Sequence, residues 1–291
     1  MCLRISTSRM AIAVLSAGIL LQSATNCLAT CLGATASKNV LLVEIVPQLP
    51  ASVLYNSWAP LLEKLGNAAG LCFELYIPET IPTFETEFLA GKPDVVFLNP
   101  FHAVMAKRAQ NYTPVLADGD TKLSGILVVK KDGTIKKLED LQGQKIAFPS
   151  PNSFAASLLI RSDLARLGIK TEESYLESHS NVYRGVILRD YQAGGGVNNT
   201  FMRENPSIKD GLTVLYETKK FTPHPLCVHP RVSEEIQSKI KAEFINLKNT
   251  DEGSKLLFNV QLTNPTEVNY EKDYLILEKM NLDQFSVKGA N

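Results

Sequence analysis

The sequence predicts an α/β protein of two lobes, each a mainly parallel sheet flanked by helices. Three observations point there. Short apolar strands alternate with amphipathic helices along nearly the whole chain. Single cap and breaker residues, rather than long linkers, separate them. Two extended runs, near 126–131 and 219–228, fall where a chain would cross from one half to the other and back. Alternation of this kind builds sheets covered by helices. The expected organisation is a signal peptide over 1–36, a first lobe of 37–128 plus 223–291, and a second lobe of 129–222 inserted between the crossings.

The first 36 residues read as a leader. Arg4 and Arg9 precede the uncharged, mostly apolar run from Ala11 to Leu21, and Ala34-Thr35-Ala36 offers small residues for cleavage. Eleven apolar residues suit a secretory signal and fall short of the ~20 needed to span a bilayer. The chain is therefore expected to be exported to the periplasm and soluble. Leu28-Ala29-Thr30-Cys31 gives a second, weaker possibility, a lipid anchor at Cys31, with Thr30 where a smaller residue belongs.

Without that leader, 255 residues remain (291 less 36), with 28 basic side chains (30 less Arg4 and Arg9) against 30 acidic. A near-neutral chain with no basic run is not built to neutralise nucleic-acid phosphates. Cys72 and Cys227 stay, each in an apolar strand-like setting; they are read either as one bridge or as two buried thiols. No Cys or His pair has metal-ligand spacing, and no cofactor is expected. His224 and His229 are separated by Pro225 in an extended run.

The elements follow in order. Residues 38–46 form a strand ending at Pro47, and 52–65 a helix whose Leu54, Trp58, Leu61, Leu62 and Leu65 share one face before Gly66. A strand at 71–77, a short helix at 83–90, a buried strand at 94–98 and a helix at 101–109 come next, then strands at 115–117 and 125–130. In the second half, 138–145 is a short helix and turn before the strand 145–148. The chain then breaks at Pro149 and Pro151 and enters a helix from Phe154 to Leu167. A brief strand at 174–176, a helix at 182–190, the glycine run Gly194–Gly196 and a strand at 212–217 complete that half. Helices at 233–247 and 252–258 and an acidic-aromatic tail close the chain. Ligands of such sheets gather at the carboxyl ends of strands, which singles out the loops after Val46, Ile77, Leu98 and Phe148.

The loop after Phe148 is the most informative. Ser150, Asn152 and Ser153 are good cap residues at a helix start, where free N–H groups and the positive end of the helix dipole favour an anion without any Lys or Arg. An enzyme is not expected. No Gly-x-Ser-x-Gly elbow, no phosphate-cradling Gly-Lys-Ser/Thr loop and no HExxH helix is present.

Six stretches together resemble the phosphate/phosphite/phosphonate-binding proteins of ABC importers, which are type 2 periplasmic solute-binding proteins. They are residues 81–85, 94–100, 138–149, 178–184, 193–197 and 222–232. The resemblance implies a type 2 periplasmic-binding-protein fold whose lobes close on a small phosphorus oxyanion and deliver it to an ABC permease in the membrane, working as a monomer. The family's anion loop is usually Ser-Thr-Ser-Gly-like; here it reads Ser150-Pro151-Asn152-Ser153-Phe154, so Pro151 lacks an N–H and Phe154 replaces a small residue. By resemblance His179 contacts phosphorus-bound oxygens, Asn181 adds an amide donor, and Asn99 with Phe101 or His102 serves from the first lobe. Tyr55 completes the expected ligand set. Relatives that take aminoalkylphosphonates grip the amine with carboxylates, whereas the matching positions here include the neutral Asn181, Asn198 and Asn199, which favours phosphate, phosphite or a simple phosphonate. A receptor of the same fold for a sulfonate or vitamin precursor, dependent on Tyr55, Trp58 or Phe101, and a sensory binding protein are the alternatives.

Overall fold

The computed structural model describes residues 30–287. Most of the expected leader therefore lies outside the described residues. The first sheet has seven strands in the order β1-β3-β2-β4-β11-β5-β12 and the second five in the order β10-β6-β9-β7-β8. The first is built from β1 (Leu32–Gly33), β2 (Val40–Ile45), β3 (Cys72–Tyr76), β4 (Val95–Phe97), β5 (Thr113–Asp118), β11 (Leu226–Val228) and β12 (Pro265–Glu267). The second holds β6 (Gly125–Lys130), β7 (Lys145–Phe148), β8 (Glu172–Tyr175), β9 (Ala193–Val197) and β10 (Leu212–Glu217).

Both sheets are mixed rather than mainly parallel. Strands β3, β2 and β4 run parallel, as do β9, β7 and β8. Strand β11 pairs antiparallel with β4 and β5, and β6 pairs antiparallel with β9 and β10. The reason is topological: these strands belong to the crossings and enter their sheets from the opposite end to the βαβ units. The crossings are also placed differently. Strand β6 lies wholly in the second sheet, so the first crossing runs through residues 119–124 and not 126–131. There Leu123 meets Phe221 of the return crossing in an isolated antiparallel bridge, with N–H···O=C distances of 2.9 and 2.8 Å.

In the first lobe α1 (Ala51–Ala69) buries Leu54, Trp58, Leu61, Leu62 and Leu65 against the sheet, the face its spacing predicts. Gly70, with φ of 68°, ends it in the left-handed conformation that glycine adopts freely. Helix α2 (Ile81–Leu89) is capped by Thr80 and α3 (Pro100–Gln110) by Asn99, whose Oδ1 accepts the His102 N–H at 2.8 Å. In the second lobe, a π-helical turn (Phe154–Leu159) runs into α4 (Ile160–Arg166), and α5 (His179–Leu188) is capped by Ser178. A buried cluster holding Phe101, Val104, Leu123, Phe154, Tyr274 and Leu282 spans both lobes. The C-terminal segment ties into it from outside: Arg161 donates to the Phe285 carbonyl at 2.7 Å and Arg108 pairs with Asp283 at 3.0 Å.

The residues before Ser37 differ from expectation. Strand β1 pairs antiparallel with β3, Ala34 donates its N–H to Leu71, and Cys31 is disulfide-bonded to Cys72. Gly33 packs so closely on Gly66 that a Cβ would lie 2.5 Å from the Gly66 Cα. Residues 31–36 are thus integral to the first lobe. Cys227 is a buried free thiol on β11. It cannot meet Cys72 because β2 and β4 stand between their strands.

Candidate ligand-binding site

A cavity between the lobes collects the ends of the strands. Val46, Pro47 and Gln48 follow β2, Ile81 opens α2, and Asn99 precedes α3. From the second lobe come Pro149, Ser150, Ser153, Phe154 and Ala155 after β7, Glu177 and His179 at the start of α5, and Val197 at the end of β9. Leu123 and His224 reach it from the crossings. All four loops singled out from the sequence contribute. The cavity offers about 40 Å³ to the centres of water-sized spheres. One water needs roughly 10–15 Å³ by that measure, so the space fits a ligand of a few heavy atoms.

No Lys or Arg lines the cavity. What favours an anion there is the helix start. Ser153 stands at the cap position but makes no side-chain cap bond, which leaves its hydroxyl available. The first N–H groups of a helix lack intrahelical acceptors, and Phe154 and Ala155, which carry two of them, are on the cavity wall. Glycines put this turn where it is. A Cβ on Gly195 would lie 2.1 Å from the Ala156 carbonyl, and one on Gly125 would lie 2.0 Å from that of Ala155. Gly194 and Gly196, on the other face of β9, give the same access to Val182 and Tyr183 of α5. The glycine run therefore packs helices onto a strand and does not line the cavity.

Two imidazoles face the same space. His179 is 7% exposed and its Nδ1 is buried without a partner. Burial pushes its pKa down to about 4, with Glu204 opposing weakly. His224, stacked on Phe97, is pushed to about 3 by burial, with His102 and His179 adding repulsion. Both are neutral near pH 7.

The expected site residues divide. Ser150, Ser153, His179 and Asn99 line the cavity. Asn152 does not. Its Nδ2 donates to Glu85 Oε1 and to the Val287 carbonyl, each at 2.8 Å, and its Oδ1 accepts the Val287 N–H. Glu85 also meets His102 Nε2 at 3.0 Å, so Asn152 belongs to a buried polar bridge between lobes. Asn181 lies in a wider outer cavity with Arg184 and Arg203, its Nδ2 donating to Leu176. Phe101 is in the inter-lobe core, and Tyr55 is 44% exposed because it sits one residue off the buried face of α1. His224 and Glu177 line the cavity although neither was expected there, and the loop after Val46, singled out as a whole, adds Val46, Pro47 and Gln48. The signal for His224 was a titratable side chain between Pro223 and Pro225, in a crossing whose prolines offer no N–H. Glu177 puts an acidic residue on the cavity wall.

A family profile described as "ABC transporter, phosphonate, periplasmic substrate-binding protein" matches residues 43–274. The chain belongs to this family. Solved structures of the phosphonate-binding kind share its fold. PhnD1 from Prochlorococcus marinus in complex with methylphosphonate has a TM-score of 0.76 at 17% identity, covering 86% of this chain and 99% of that one. A binding protein component of an ABC phosphonate transporter from Pseudomonas aeruginosa has a TM-score of 0.74 at 16% identity, covering 85% and 87%. The periplasmic aliphatic sulphonate binding protein SsuA from Escherichia coli is more distant, with a TM-score of 0.57 at 16% identity and coverage of 86% and 87%. No curated protein matches the chain. The type 2 periplasmic-binding fold, the substrate-binding role in ABC transport and the periplasmic family setting follow. Among the described residues no helix is long and apolar enough to cross a membrane, and no cluster of metal-ligating side chains occurs.

Proposed function

We propose that the chain captures a small phosphorus oxyanion between its lobes by hinge closure and passes it, without chemical change, to an ABC permease. The observation that carries this reading is the small cavity at an uncapped helix start, with Ser150, Ser153, His179 and Asn99 as donors and no cationic side chain. Oriented N–H and O–H groups bind an anion without the desolvation cost of burying a lysine. The bridge between Leu123 and Phe221 is the natural hinge, since few residues there need to absorb the change. Because the Cys31 sulfur is engaged with Cys72, it cannot also carry a lipid thioether; export then requires a cut before Cys31 rather than after Ala36.

One observation favours an amine-bearing ligand within this class. Glu177 at the cavity edge could pair with an ammonium group while the phosphonate sits at the helix start.

The test is Ser153→Ala. A hydrogen bond to a charged group is worth roughly 1.5–3 kcal/mol, so affinity for the bound phosphorus compound should fall about ten- to a hundredfold. Tyr55→Ala, on the exposed face of α1, should leave it unchanged. Normal binding by Ser153→Ala would place the ligand elsewhere.

A further inference from the structure

The two histidines of the cavity come from different parts of the fold. His179 opens α5 in the second lobe, and His224 lies in the return crossing. Both line the one small cavity. No other basic side chain lines the space, and Glu177 adds a negative charge at its edge. An anion seated there would have no full positive charge against it while both rings stay neutral. Building on the proposed phosphorus ligand, we propose that His179 and His224 grip the anion as a pair and that binding draws a proton from solvent onto one of the two rings. The proton goes to an imidazole nitrogen, no bond of the ligand breaks, and release returns the proton to water.

The surroundings fit this role. Around His179 stand Glu177 before it, Tyr183 one helical turn on, and Glu204, which also accepts from Ser180 at 2.7 Å. Arg184 and Arg203 line the outer cavity on which His179 also borders. Around His224 stand Phe97, the hydrogen-bonded His102–Glu85 pair and the Tyr274 hydroxyl, which donates to Pro223. Enclosure thus keeps both rings unprotonated; Glu204 opposes it at His179, and no carboxylate does so at His224. A dianion supplies the missing opposite charge and raises the pKa of the rings it touches. Since the bound state then holds more protons than the free state, affinity counted per dianion must rise as pH falls below the bound-state pKa of the rings.

The experiment is isothermal titration of methylphosphonate, phosphate and phosphite into the full mature chain in buffers of different ionisation heat. The difference in observed heat gives protons taken up per ligand. Wild-type protein is compared with His224→Gln and with His179→Gln, each of which keeps a neutral donor and cannot titrate. The ligand's own ionisation is common to all three proteins. The expected result is that wild type takes up about one proton more per anion than at least one of the variants, and that this variant's affinity depends less on pH. Binding with equal proton uptake in all three proteins overturns the pairing alone. No binding by the wild type of any of the three, nor of 2-aminoethylphosphonate, overturns the proposed ligand class, and the pairing with it.

Discussion

Glu44 sits on β2 in the middle of the first sheet, 1% exposed, with neither carboxyl oxygen hydrogen-bonded. Burial pushes its pKa up to about 8, Glu87 adds to the shift, and Lys92 opposes it. The folded chain therefore holds a proton that the unfolded chain loses near pH 4.5. Stability from this group is complete below that value and is lost as pH rises through about 8, with a ceiling of ~5 kcal/mol across the window. Glu44→Gln removes the dependence. Its melting temperature relative to wild type should rise between about pH 5 and about pH 8; parallel profiles would contradict this. His179 and His224 work in the opposite direction, costing stability as pH falls below about 6.5, but they are common to both proteins and cancel. At this scale the sequence was only partly legible. Ser150, Ser153, His179 and Asn99 could be placed because a strand end or helix start fixes where such residues point. Asn152 is as good a donor in sequence, but its amide is consumed by Glu85 and Val287, partners 67 and 135 residues away. No local pattern announces such a contact.

Strand β9 and the helix start beside it form one unit. The sequence Ala193-Gly194-Gly195-Gly196-Val197 has low strand propensity, yet it is a central strand whose bare faces admit a helix on each side. Packing, invisible in a single sequence, overrides propensity here. The start of the helix after β7 was legible from the cap-type residues Ser150, Asn152 and Ser153 ahead of it, while its π-helical turn was not, and the Ser153 side chain makes no cap bond. The geometry makes Gly195 the position that holds the proposed anion cradle in place. A Cβ there meets backbone rather than a flexible side chain, so Gly195→Ala should cost about 1–3 kcal/mol and also weaken ligand binding by shifting Ala155 and Phe154. Gly211→Ala, whose Cβ would find its nearest neighbours at 3.6 Å, is the control and should change stability by no more than about 0.5 kcal/mol. Denaturant unfolding of the two variants checks this; equal stabilities would show that the helix start relaxes freely.

The two-lobed plan is the most legible level, because alternating strands and helices with two crossings admit few topologies. What the sequence could not show was the mixed direction of the sheets, which depends on the end from which each crossing enters, and the place of residues 31–36, which depends on Cys31 meeting Cys72. The whole molecule is a pair of lobes joined at the Leu123–Phe221 bridge and braced across the join by the C-terminal segment through Asn152 and Arg161. Its central claim is that the cavity between them takes a small phosphorus oxyanion. Thermal unfolding of the mature chain with phosphate, phosphite, methylphosphonate, 2-aminoethylphosphonate and sulfate tests it most directly. A ligand at a hundred times its Kd adds about 2.7 kcal/mol, which for a chain of this size is a rise of ~5–10 °C. The account predicts such a rise with at least one phosphorus compound and none with sulfate. The largest rise with 2-aminoethylphosphonate would assign Glu177 to the amine. No rise with any phosphorus compound, or an equal one with sulfate, would contradict it.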